Sequence, residues 1–540
     1  MRRFIITCFL IIMLMPVIAA RADSVSEQRD IVSKKAVFLR SQKDYIERQA
    51  ASDNGRWERF SEAVDDYLQM YDEMTDDKET ADLSEAQLSK LMQQISYLNR
   101  LIPMQLPGFT EGQTDFGAYY TKLDYYPEWD KPWRVGPDAD VIVRFGKDSP
   151  RFVFWRGTSY IPHWVADNGL WYNNQFNETW PPNSCCEPMG DKQCRYSHVR
   201  IIESHPGRVV VHWRYALNDV DYKIAWPDKK TGWGDWTDEI YTLYPDAIGT
   251  RKITLHTSHT EDYEELETDD HGHEWAEGIA VFNAFVFPEE MLYYDAIHVA
   301  NMAGETGRWV WNEPGQPETS TPDGANIFMI NSRSLYKPFV ISLPGCNFDV
   351  YTGCSNGSRF NWWDHWPVTS DATSGRRATG RSAAHGSFFH IIDMPVYEYG
   401  TDQITKVQLH GMTQQDVDDL VPIAKSWDQA PKLDLSGSGF TSSGYDKTQR
   451  AYVLTRTVKG KVNPLSIELA ASEESPLFNP AFVITNWGEG DIELKLNGKM
   501  LECGEDYRVG HRHQLESTDL IVWVRYESEK PTEIEIEPAD

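Results

Sequence analysis

The residues best suited to acid–base chemistry lie in one segment of the chain, residues 196–217. Two runs of strand-forming residues flank a turn at residues 205–207, a pattern that predicts a β-hairpin. Because side chains alternate between the faces of a strand, a turn centred on Pro206 would place four basic residues on one face. These residues are His198 and Arg200 on the first strand, opposite Arg214 and His212 on the second.

Four basic side chains on one face need a neutralising partner, because like charges opposite one another destabilise a pair of strands. Two kinds of partner fit this requirement. One is an anionic ligand, and the other is a set of carboxylates from neighbouring strands in a chain with 82 acidic residues. The first partner predicts a functional site, and the second predicts an ordinary structural cluster.

Two further segments combine arginine with aromatic residues, the pairing expected for an acidic polysaccharide because guanidinium groups bind carboxylate or sulfate in a bidentate way. Residues 152–164 end a strand, and we expect Arg156, Tyr160 and His163 at the edge of the basic face. Trp164, Trp171 and Tyr172 are candidate stacking surfaces.

The second segment, residues 361–381, is an aromatic and arginine-rich loop. The alternative to a polysaccharide-binding loop is a surface loop that forms salt bridges with the acidic body of the protein. Its candidate binding residues are Trp363, His365, Arg376, Arg377 and Arg381.

A metal site is a third hypothesis, for residues 269–274. His271 and His273 would point the same way on an extended chain, and with Glu274 they offer ligands for a divalent metal such as zinc or calcium. The spacing does not match a helical zinc motif, and a solvated acidic loop fits the same residues. The metal is therefore an expectation and not an assignment.

Cysteines add one structural prediction. Six of the seven lie beyond residue 22, and we expect Cys346 and Cys354 to form a disulfide, because six cysteines in an exported chain permit such pairs. A cluster in residues 185–194 could instead offer thiolates to zinc, although it contains no CxxC motif.

The N-terminus predicts export. Arg2 and Arg3 precede an apolar run to Ala20, and small residues at positions 20 and 22 fit a cleavage site after Ala22. Residues 1–22 are therefore expected to be a signal peptide of a secreted or periplasmic protein, and the alternative is an uncleaved membrane anchor. Later segments are too polar to span a membrane, so we expect no membrane insertion after cleavage.

Charge excludes some partners. The chain carries 52 basic and 82 acidic residues, a formal net charge of −30 that becomes −33 when the signal peptide is removed. A negative protein does not attract nucleic acid or an anionic membrane over long range. An anionic ligand must therefore be bound by a local basic cluster.

The length of 540 residues permits several domains. Helical spacing of apolar residues predicts three helices within residues 23–112, with breaks near residues 53–55 and 76–77. Residues 113–429 are rich in short strand-like runs and predict a large antiparallel β-sandwich with a short helix near residues 413–427. Residues 430–540 predict a smaller β-sandwich. The fold class is therefore mainly β with an N-terminal helical segment.

Four motifs together resemble secreted bacterial polysaccharide lyases of the ulvan-lyase kind. They are residues 154–162, the hairpin of residues 196–217, the turn of residues 231–236 and the loop of residues 363–367. The resemblance covers residues 114–400 and implies a supersandwich-like β domain. Such lyases often carry a helical toroid of several hundred residues. The helical region of this chain is shorter, so the acid and the base would have to come from the β domain.

The resemblance implies β-elimination at a uronic acid within an acidic, ulvan-like polysaccharide, with or without sulfate groups. Arg200 and Arg214 would neutralise the carboxylate, and neighbouring sugars would contact Arg156, Tyr160, Trp363, His365 and Arg376. Histidine suits the base because its pKa lies near working pH, and tyrosine can donate a proton. We expect His198 or His212 to be the base. Tyr196 or Tyr244 would then be the acid.

Two other classes of function remain open. A glycoside hydrolase needs two carboxylates that flank the scissile bond, for which Asp235, Glu239 and Glu274 are available. A non-catalytic glycan-binding protein would keep the aromatic surfaces without the acid and base. Products with unsaturated ends, products with saturated ends, or the absence of new ends would separate the three classes.

Overall fold

The structure is a computed structural model that describes residues 24–539. The described part excludes residues 53–54, 76–79, 104, 109–114, 124–138, 148, 174–175, 182–183, 192, 259–271, 364–367, 372–374, 379–382, 437 and 461, and also the side chains of residues 81, 363, 368–371 and 375–378. The predicted signal peptide, residues 1–22, therefore lies outside the described residues.

The N-terminal region contains the three predicted helices, which are confirmed. Ser24 and Ser84 begin the first and the third, and each forms a capping box with the residue three positions later. Two shorter helices follow in the β region. The helices are α1 Val25–Ala50, α2 Arg56–Thr75, α3 Glu85–Leu101, α4 Pro288–Met291 and α5 Val421–Asp428. None of the described helices is long and apolar enough to cross a membrane.

The large β region begins at Gly117. Its strands are β1 Gly117–Thr121, β2 Asp140–Arg144, β3 Arg151–Phe154, β4 Pro162–Val165, β5 Trp171–Asn173, β6 Glu178–Thr179, β7 His198–His205, β8 Arg208–Ala216, β9 Trp236–Leu243, β10 Ile248–His256, β11 His273–Glu274, β12 Ala276–Asn283, β13 Leu292–Ala300, β14 Thr306–Glu313, β15 Gln316–Thr319, β16 Ile327–Ser332, β17 Lys337–Ser342, β18 Asn347–Val350, β19 Trp362–Trp363, β20 Val368–Asp371, β21 Gly375–Ala378, β22 Ala383–Asp393, β23 Glu398–Gly400 and β24 Gln403–Thr413.

Most of these strands form two large antiparallel sheets. Within the described residues, a nine-stranded sheet has the order β1-β2-β3-β4-β5-β12-β22-β18, with β19 beside β22. An eleven-stranded sheet has the order β15-β14-β13-β16-β17-β24-β10-β9-β8-β7, with β23 beside β24. The inner faces pack together, as the rings of Phe152 and Tyr241 show with centroids 5.3 Å apart. The mainly β, sandwich-like fold class is confirmed.

The chain ends in a second pair of sheets. Two five-stranded sheets, β25-β28-β36-β31-β32 and β26-β27-β30-β34-β33, enclose their own apolar core. The strands are β25 Leu433–Ser436, β26 Phe440–Asp446, β27 Ala451–Arg456, β28 Leu465–Leu469, β29 Leu477–Phe478, β30 Ala481–Thr485, β31 Ile492–Leu496, β32 Lys499–Met500, β33 Tyr507–His513, β34 Thr518–Val524, β35 Glu527–Ser528 and β36 Thr532–Pro538.

The outer face of the eleven-stranded sheet changes character along its strands. At one end, apolar residues such as Ile248 and Leu409 are buried against α5 and the short helical turn before it. At the other end, β7 to β10 alternate buried residues with exposed or half-buried polar ones. This end carries His198, Arg214 and His256, which are exposed or half-buried among the described residues.

The predicted disulfide is wrong. Cys346 and Cys354 are both free thiols. Cys346 is half-buried with its sulfur near the carbonyl oxygen of Ala325, whereas Cys354 is exposed. Burial raises the pKa of the Cys346 thiol to about 11, so this thiol is protonated at neutral pH.

Candidate functional site

The predicted hairpin has the predicted register. In the pairing of β7 with β8, His198 is opposite Arg214 and Arg200 is opposite His212. The register shifts by one between Ile201 and Glu203, so the bulge lies beyond the four basic residues and does not disturb them. The inward residues of the same strands, Trp213 and Tyr215, are fully buried. Because these side chains are buried on the inner face, the four basic residues on the other face of the hairpin point outward.

Asp238 occupies the centre of the basic face. It lies on β9 beside Arg214, and its carboxylate contacts His212 Nε2 at 2.6 Å, His256 Nε2 at 2.9 Å and Arg214 Nη1 at 3.2 Å. The expectation that neighbouring acids neutralise the cluster is therefore met in part. One guanidinium group and two imidazoles therefore contact this carboxylate. We call His198, Arg200, His212, Arg214, His256 and Asp238 together the basic patch.

The contacts of His212 show which of its ring nitrogens carries a proton. Arg200 Nε donates a hydrogen bond to His212 Nδ1 at 3.1 Å. Since a guanidinium nitrogen can only donate, Nδ1 carries no proton, and Nε2 donates its proton to Asp238. Both ring nitrogens of His212 are therefore engaged. His198 differs, because its ring is exposed and makes no hydrogen bond within the described part of the chain.

The charge of Asp238 is stabilised by its surroundings. Burial alone would raise its pKa, but hydrogen bonds from His212 and His256 and the positive charge of Arg214 lower the pKa well below the usual value of an aspartate. Asp238 therefore stays ionised and holds the imidazoles in place. Arg200 projects to solvent at the side of the patch, where it can meet an anion.

Aromatic residues border the basic patch on one side. The Arg214 guanidinium lies 5.2 Å from the centroid of the Trp236 ring, which contacts Tyr196 edge-on with centroids 5.5 Å apart. Trp233 is 66% exposed, and its ring lies 6.4 Å from that of Trp236. The Tyr196 hydroxyl donates a long hydrogen bond of 3.4 Å to the carbonyl oxygen of Tyr222. These rings offer a surface on which a sugar can stack next to the cations.

Tyr244, the other predicted acid, lies elsewhere. It is fully buried at the contact with the C-terminal domain, and its hydroxyl donates to the carbonyl oxygen of Gln449 at 2.7 Å. Burial raises its pKa despite the nearby positive charges of Arg208 and Arg450. Tyr244 cannot reach a ligand on the exposed face, so its assignment as acid is corrected.

Arg156 is buried and Tyr160 is half-buried. Arg156 is 7% exposed, and its guanidinium donates to Cys194 Sγ at 2.5 Å and to the carbonyl oxygen of Gln193 at 3.2 Å. Tyr160 packs against the apolar core. Arg156 thus anchors the loop that leads into β7, and its burial argues against direct contact with a sugar. The other members of this segment are also buried, namely His163, Trp164, Trp171 and Tyr172.

The arginine-rich loop cannot be placed against the patch. His365 and Arg381 lie outside the described residues, as do the side chains of Trp363, Arg376 and Arg377. The backbone is described in part: Trp363 belongs to β19, and Arg376 and Arg377 belong to β21. The proposed binding roles of these residues therefore stay predictions.

The two predicted metal ligands that lie within the described residues are not brought together. His271 lies outside the described residues, and His273 and Glu274 are neighbours on β11 with different partners. His273 Nε2 contacts Asp235 at 2.8 Å, and Glu274 contacts His390 Nδ1 at 2.9 Å. Consecutive strand residues point to opposite faces, so this ligand set is corrected.

Glu274 belongs instead to a buried group of carboxylates. It is paired with Glu178 across β6 and β11, and oxygens of Glu178, Glu274 and Glu277 all lie within 4.8 Å of one another. Cys185 and Glu187 approach Glu178 in a similar way. Carboxylate oxygens are typical ligands of calcium, and buried carboxylates also occur without a metal when they share protons or hydrogen bonds.

The carboxylates considered for a hydrolase are buried in ion pairs. Asp235 and Glu239 are both fully buried. Asp235 is bound to His273, and Glu239 forms a bidentate pair with Arg251, with its oxygens 2.6 and 2.8 Å from the guanidinium nitrogens. Such pairs stabilise the interior and do not face an open groove, which weakens the hydrolase hypothesis.

Asp238 and His256 are the site residues that sequence reasoning missed. Alternation along β9 and β10 would have placed them on the same faces as Trp236 and Lys252. Alternation could not place those strands beside β8, because the 19-residue connection from β8 to β9 is too long for a hairpin turn to fix their pairing. The missing information was the order of strands in the sheet.

Comparisons with known proteins add little to this geometry. No family model matches the chain, and no curated protein matches it. Among solved structures, one match is the crystal structure of the GalM/aldose epimerase homologue from C. elegans, with 8% identity and a TM-score of 0.25. The match covers 50% of this chain and 97% of that one. No family assignment follows, and function must be argued from the site itself.

Proposed function

We propose that the protein is a polysaccharide lyase that cleaves a uronic-acid-containing polysaccharide by β-elimination at the basic patch. The observation that carries the proposal is the hairpin register, which sets His198 beside Arg214 and His212 beside Arg200 on an exposed face. The patch contains two guanidinium groups and one carboxylate, of which only Arg214 contacts Asp238, so it retains positive charge for an anionic substrate.

The two arginines would bind the uronate carboxylate. Arg200 is exposed, and Arg214 keeps 43% of its side chain accessible while it contacts Asp238. Guanidinium groups match a carboxylate in geometry and charge. Neutralising that carboxylate makes the C5 proton more acidic, because negative charge that develops on the carboxylate in the transition state is stabilised.

His198 is the better of the two predicted bases. Its exposed ring makes no hydrogen bond within the described residues, whereas His212 uses both nitrogens for Arg200 and Asp238. His198 would take the proton from C5, and the electron pair of that C–H bond would form the C4–C5 double bond. His212 would then act as a positioning residue for Arg200.

Tyr196 would complete the reaction as the acid. The C4–O4 bond breaks as the double bond forms, and the Tyr196 hydroxyl gives its proton to the departing O4. Its present hydrogen bond to the Tyr222 carbonyl is long at 3.4 Å, so little is lost when the hydroxyl turns to substrate. Trp233 and Trp236 would stack on neighbouring sugars.

The proposal extends to location and substrate. A secreted or periplasmic protein would meet an external polysaccharide, which agrees with the signal peptide expected at residues 1–22. An ulvan-like polymer, with uronate and sulfate groups, suits two arginines next to exposed tryptophans. Chondroitin, pectin and alginate are the comparison substrates.

Single substitutions test the assignment. Ultraviolet absorbance of the unsaturated product is recorded for His198→Ala, Tyr196→Phe and Arg214→Gln, with reducing ends counted in parallel. We expect each variant to lose at least about 100-fold in rate, the usual contribution of a positioned acid or base. His513→Ala is the matched control, because His513 is an exposed histidine on β33 in the C-terminal domain.

The outcomes separate the functional classes. New reducing ends without ultraviolet absorbance would identify a hydrolase, and full activity of His198→Ala would exclude this histidine as the base. Binding of polysaccharide without new ends would identify a glycan-binding protein. The contact of Asp238 with three basic side chains favours this last class as the second candidate, because the patch is stable without substrate.

A further inference from the structure

A cavity at the junction of the two β domains is separate from the basic patch. Its volume is about 590 Å³, within the range of small-molecule binding sites. Loops after β2 and after β32 line it, and the β7–β8 turn contributes Pro206. The turn lies at the opposite end of β7 from His198, roughly 25 Å away for an eight-residue strand.

Among the described residues that line the cavity, two are basic and one is acidic. They are Lys147, Arg508 and Asp115. Arg508 Nε is buried without a hydrogen-bond partner among the described residues. Burial and then the nearby charge of Arg525 lower the pKa of Arg508, while Asp115 opposes this effect. An anion in the cavity would relieve both the repulsion and the unsatisfied donor.

The cavity also has an apolar wall, to which Phe116 and Phe145 contribute the edges of their largely buried rings, 7% and 8% exposed. The rings of Phe116 and Phe145 lie with centroids 5.7 Å apart, and the Arg508 guanidinium lies 6.0 Å from the centroid of Phe116. An inorganic anion would use the cations and leave this wall uncovered. A ligand that has both a carboxylate and a ring with an apolar face would use both features.

We propose that this cavity binds an acidic sugar, with its carboxylate on Arg508 and Lys147 and its ring against Phe116 and Phe145. The site is distinct from the basic patch, and binding there does not require that the patch be catalytic. It would hold a uronate-containing polymer, or its released end, at the domain junction.

Cys503 provides a direct readout because it lines the cavity and its side chain is exposed. The probe is D-glucuronate, and the measurement is the rate at which iodoacetamide modifies Cys503 in the full-length protein, followed by peptide mass spectrometry. Cys354 is an exposed thiol outside the cavity and serves as the internal control. We expect glucuronate at about four times its Kd to slow Cys503 modification about five-fold and to leave Cys354 unchanged.

Variants and other ligands make the test specific. Arg508→Gln and Lys147→Gln should each reduce the protection, whereas Lys499→Gln, an exposed charge change on β32, should not. Lys147 is itself exposed, so its variant is not expected to disturb folding. An unchanged Cys503 rate with glucuronate would overturn the proposal. Equal protection by glucose would overturn the role of the carboxylate, and equal protection by acetate or sulfate would overturn the role of the sugar ring.

Discussion

At the scale of single residues, Asp238 decides how the basic patch behaves. Its carboxylate contacts His212, His256 and Arg214 within 3.2 Å. Without it, three basic side chains on adjacent strands would repel one another. The patch is therefore both a structural cluster and a surface that retains positive charge.

Asp238→Asn is predicted to separate binding from turnover. Removing the negative charge should tighten binding of an acidic polysaccharide several-fold at low salt, because attraction to the patch is then unopposed. Turnover should fall, since His212 and Arg214 lose the group that orients them. Affinity measured at low and high salt, beside product formation, checks both parts. Weaker binding by the variant at low salt would contradict the prediction.

A second residue-scale feature is a neutral histidine in the core. His410 is fully buried, and its Nδ1 accepts a hydrogen bond from Trp164 Nε1 at 2.8 Å. Burial, with the charge of Arg251, lowers the pKa of His410 to about 3. Its stabilising contribution is complete above the ordinary pKa of histidine, about 6.5. That contribution decreases as pH falls towards 3, because only the unfolded chain takes up the proton.

The pH dependence of stability is predicted to change in His410→Gln. Between pH 7 and pH 5 the wild-type protein should lose about 2 kcal/mol of unfolding free energy through this residue. A glutamine can accept the same hydrogen bond without titrating, so the variant should lose correspondingly less. Denaturant unfolding at both pH values measures the difference. His513→Gln is the control and should keep the wild-type slope, and an equal slope in His410→Gln would contradict this account.

At the scale of elements, the β7–β8 hairpin joins the patch to the C-terminal domain. Its turn is packed against β33 and β34, where a Cβ on Gly207 would lie 3.2 Å from the Ile521 carbonyl oxygen. His205 accepts a hydrogen bond from the backbone nitrogen of Arg208 and contacts Glu203 at 2.9 Å. The docked turn therefore fixes one end of the strands that carry the patch at the other.

Gly510→Ala is predicted to weaken this docking. A Cβ at Gly510 would lie 1.9 Å from His205 Nδ1, so the ring must move and its hydrogen bonds must break. We expect a loss of about 1–3 kcal/mol, typical of overpacking, measured by denaturant unfolding. Gly490→Ala is the matched control, because a Cβ there meets nothing within 4 Å. Equal stability of the two variants would contradict the predicted close contact.

At the scale of the whole molecule, a buried ion pair connects the helical region to the sandwich. Lys35 of α1 contacts Glu290 of α4 at 2.8 Å, and its Nζ also donates to the Phe285 carbonyl oxygen at 2.6 Å. Burial lowers the pKa of Lys35, and Glu290 opposes the effect. The three helices are therefore bound to the end of the sandwich by a specific polar contact within an apolar interface.

Lys35→Met is predicted to destabilise the protein by about 3–5 kcal/mol, because it leaves Glu290 charged and buried. The double variant Lys35→Met/Glu290→Gln should recover part of this loss, since no unpaired buried charge remains. Thermal and denaturant unfolding of both variants provide the measurement. Lys43→Met, which removes an exposed lysine of the same helix, should change stability little. No recovery in the double variant would argue against the charge as the cause.

The sequence by itself determined the local features of this protein. Apolar spacing predicted the three helices, and the turn at residues 205–207 predicted the register that aligns His198 with Arg214. Both depend on contacts between residues close in the chain, where periodicity and turn chemistry are sufficient. The mainly β composition followed from the same short-range patterns.

Only the tertiary structure decided which distant residues meet. It placed Asp238 and His256 in the basic patch, and it buried Tyr244 at the contact with the C-terminal domain. It also separated His273 from the carboxylates around Glu274. The order of strands in a sheet and the docking of domains depend on the packing of whole surfaces, and residue spacing within one strand carries no information about its distant neighbours.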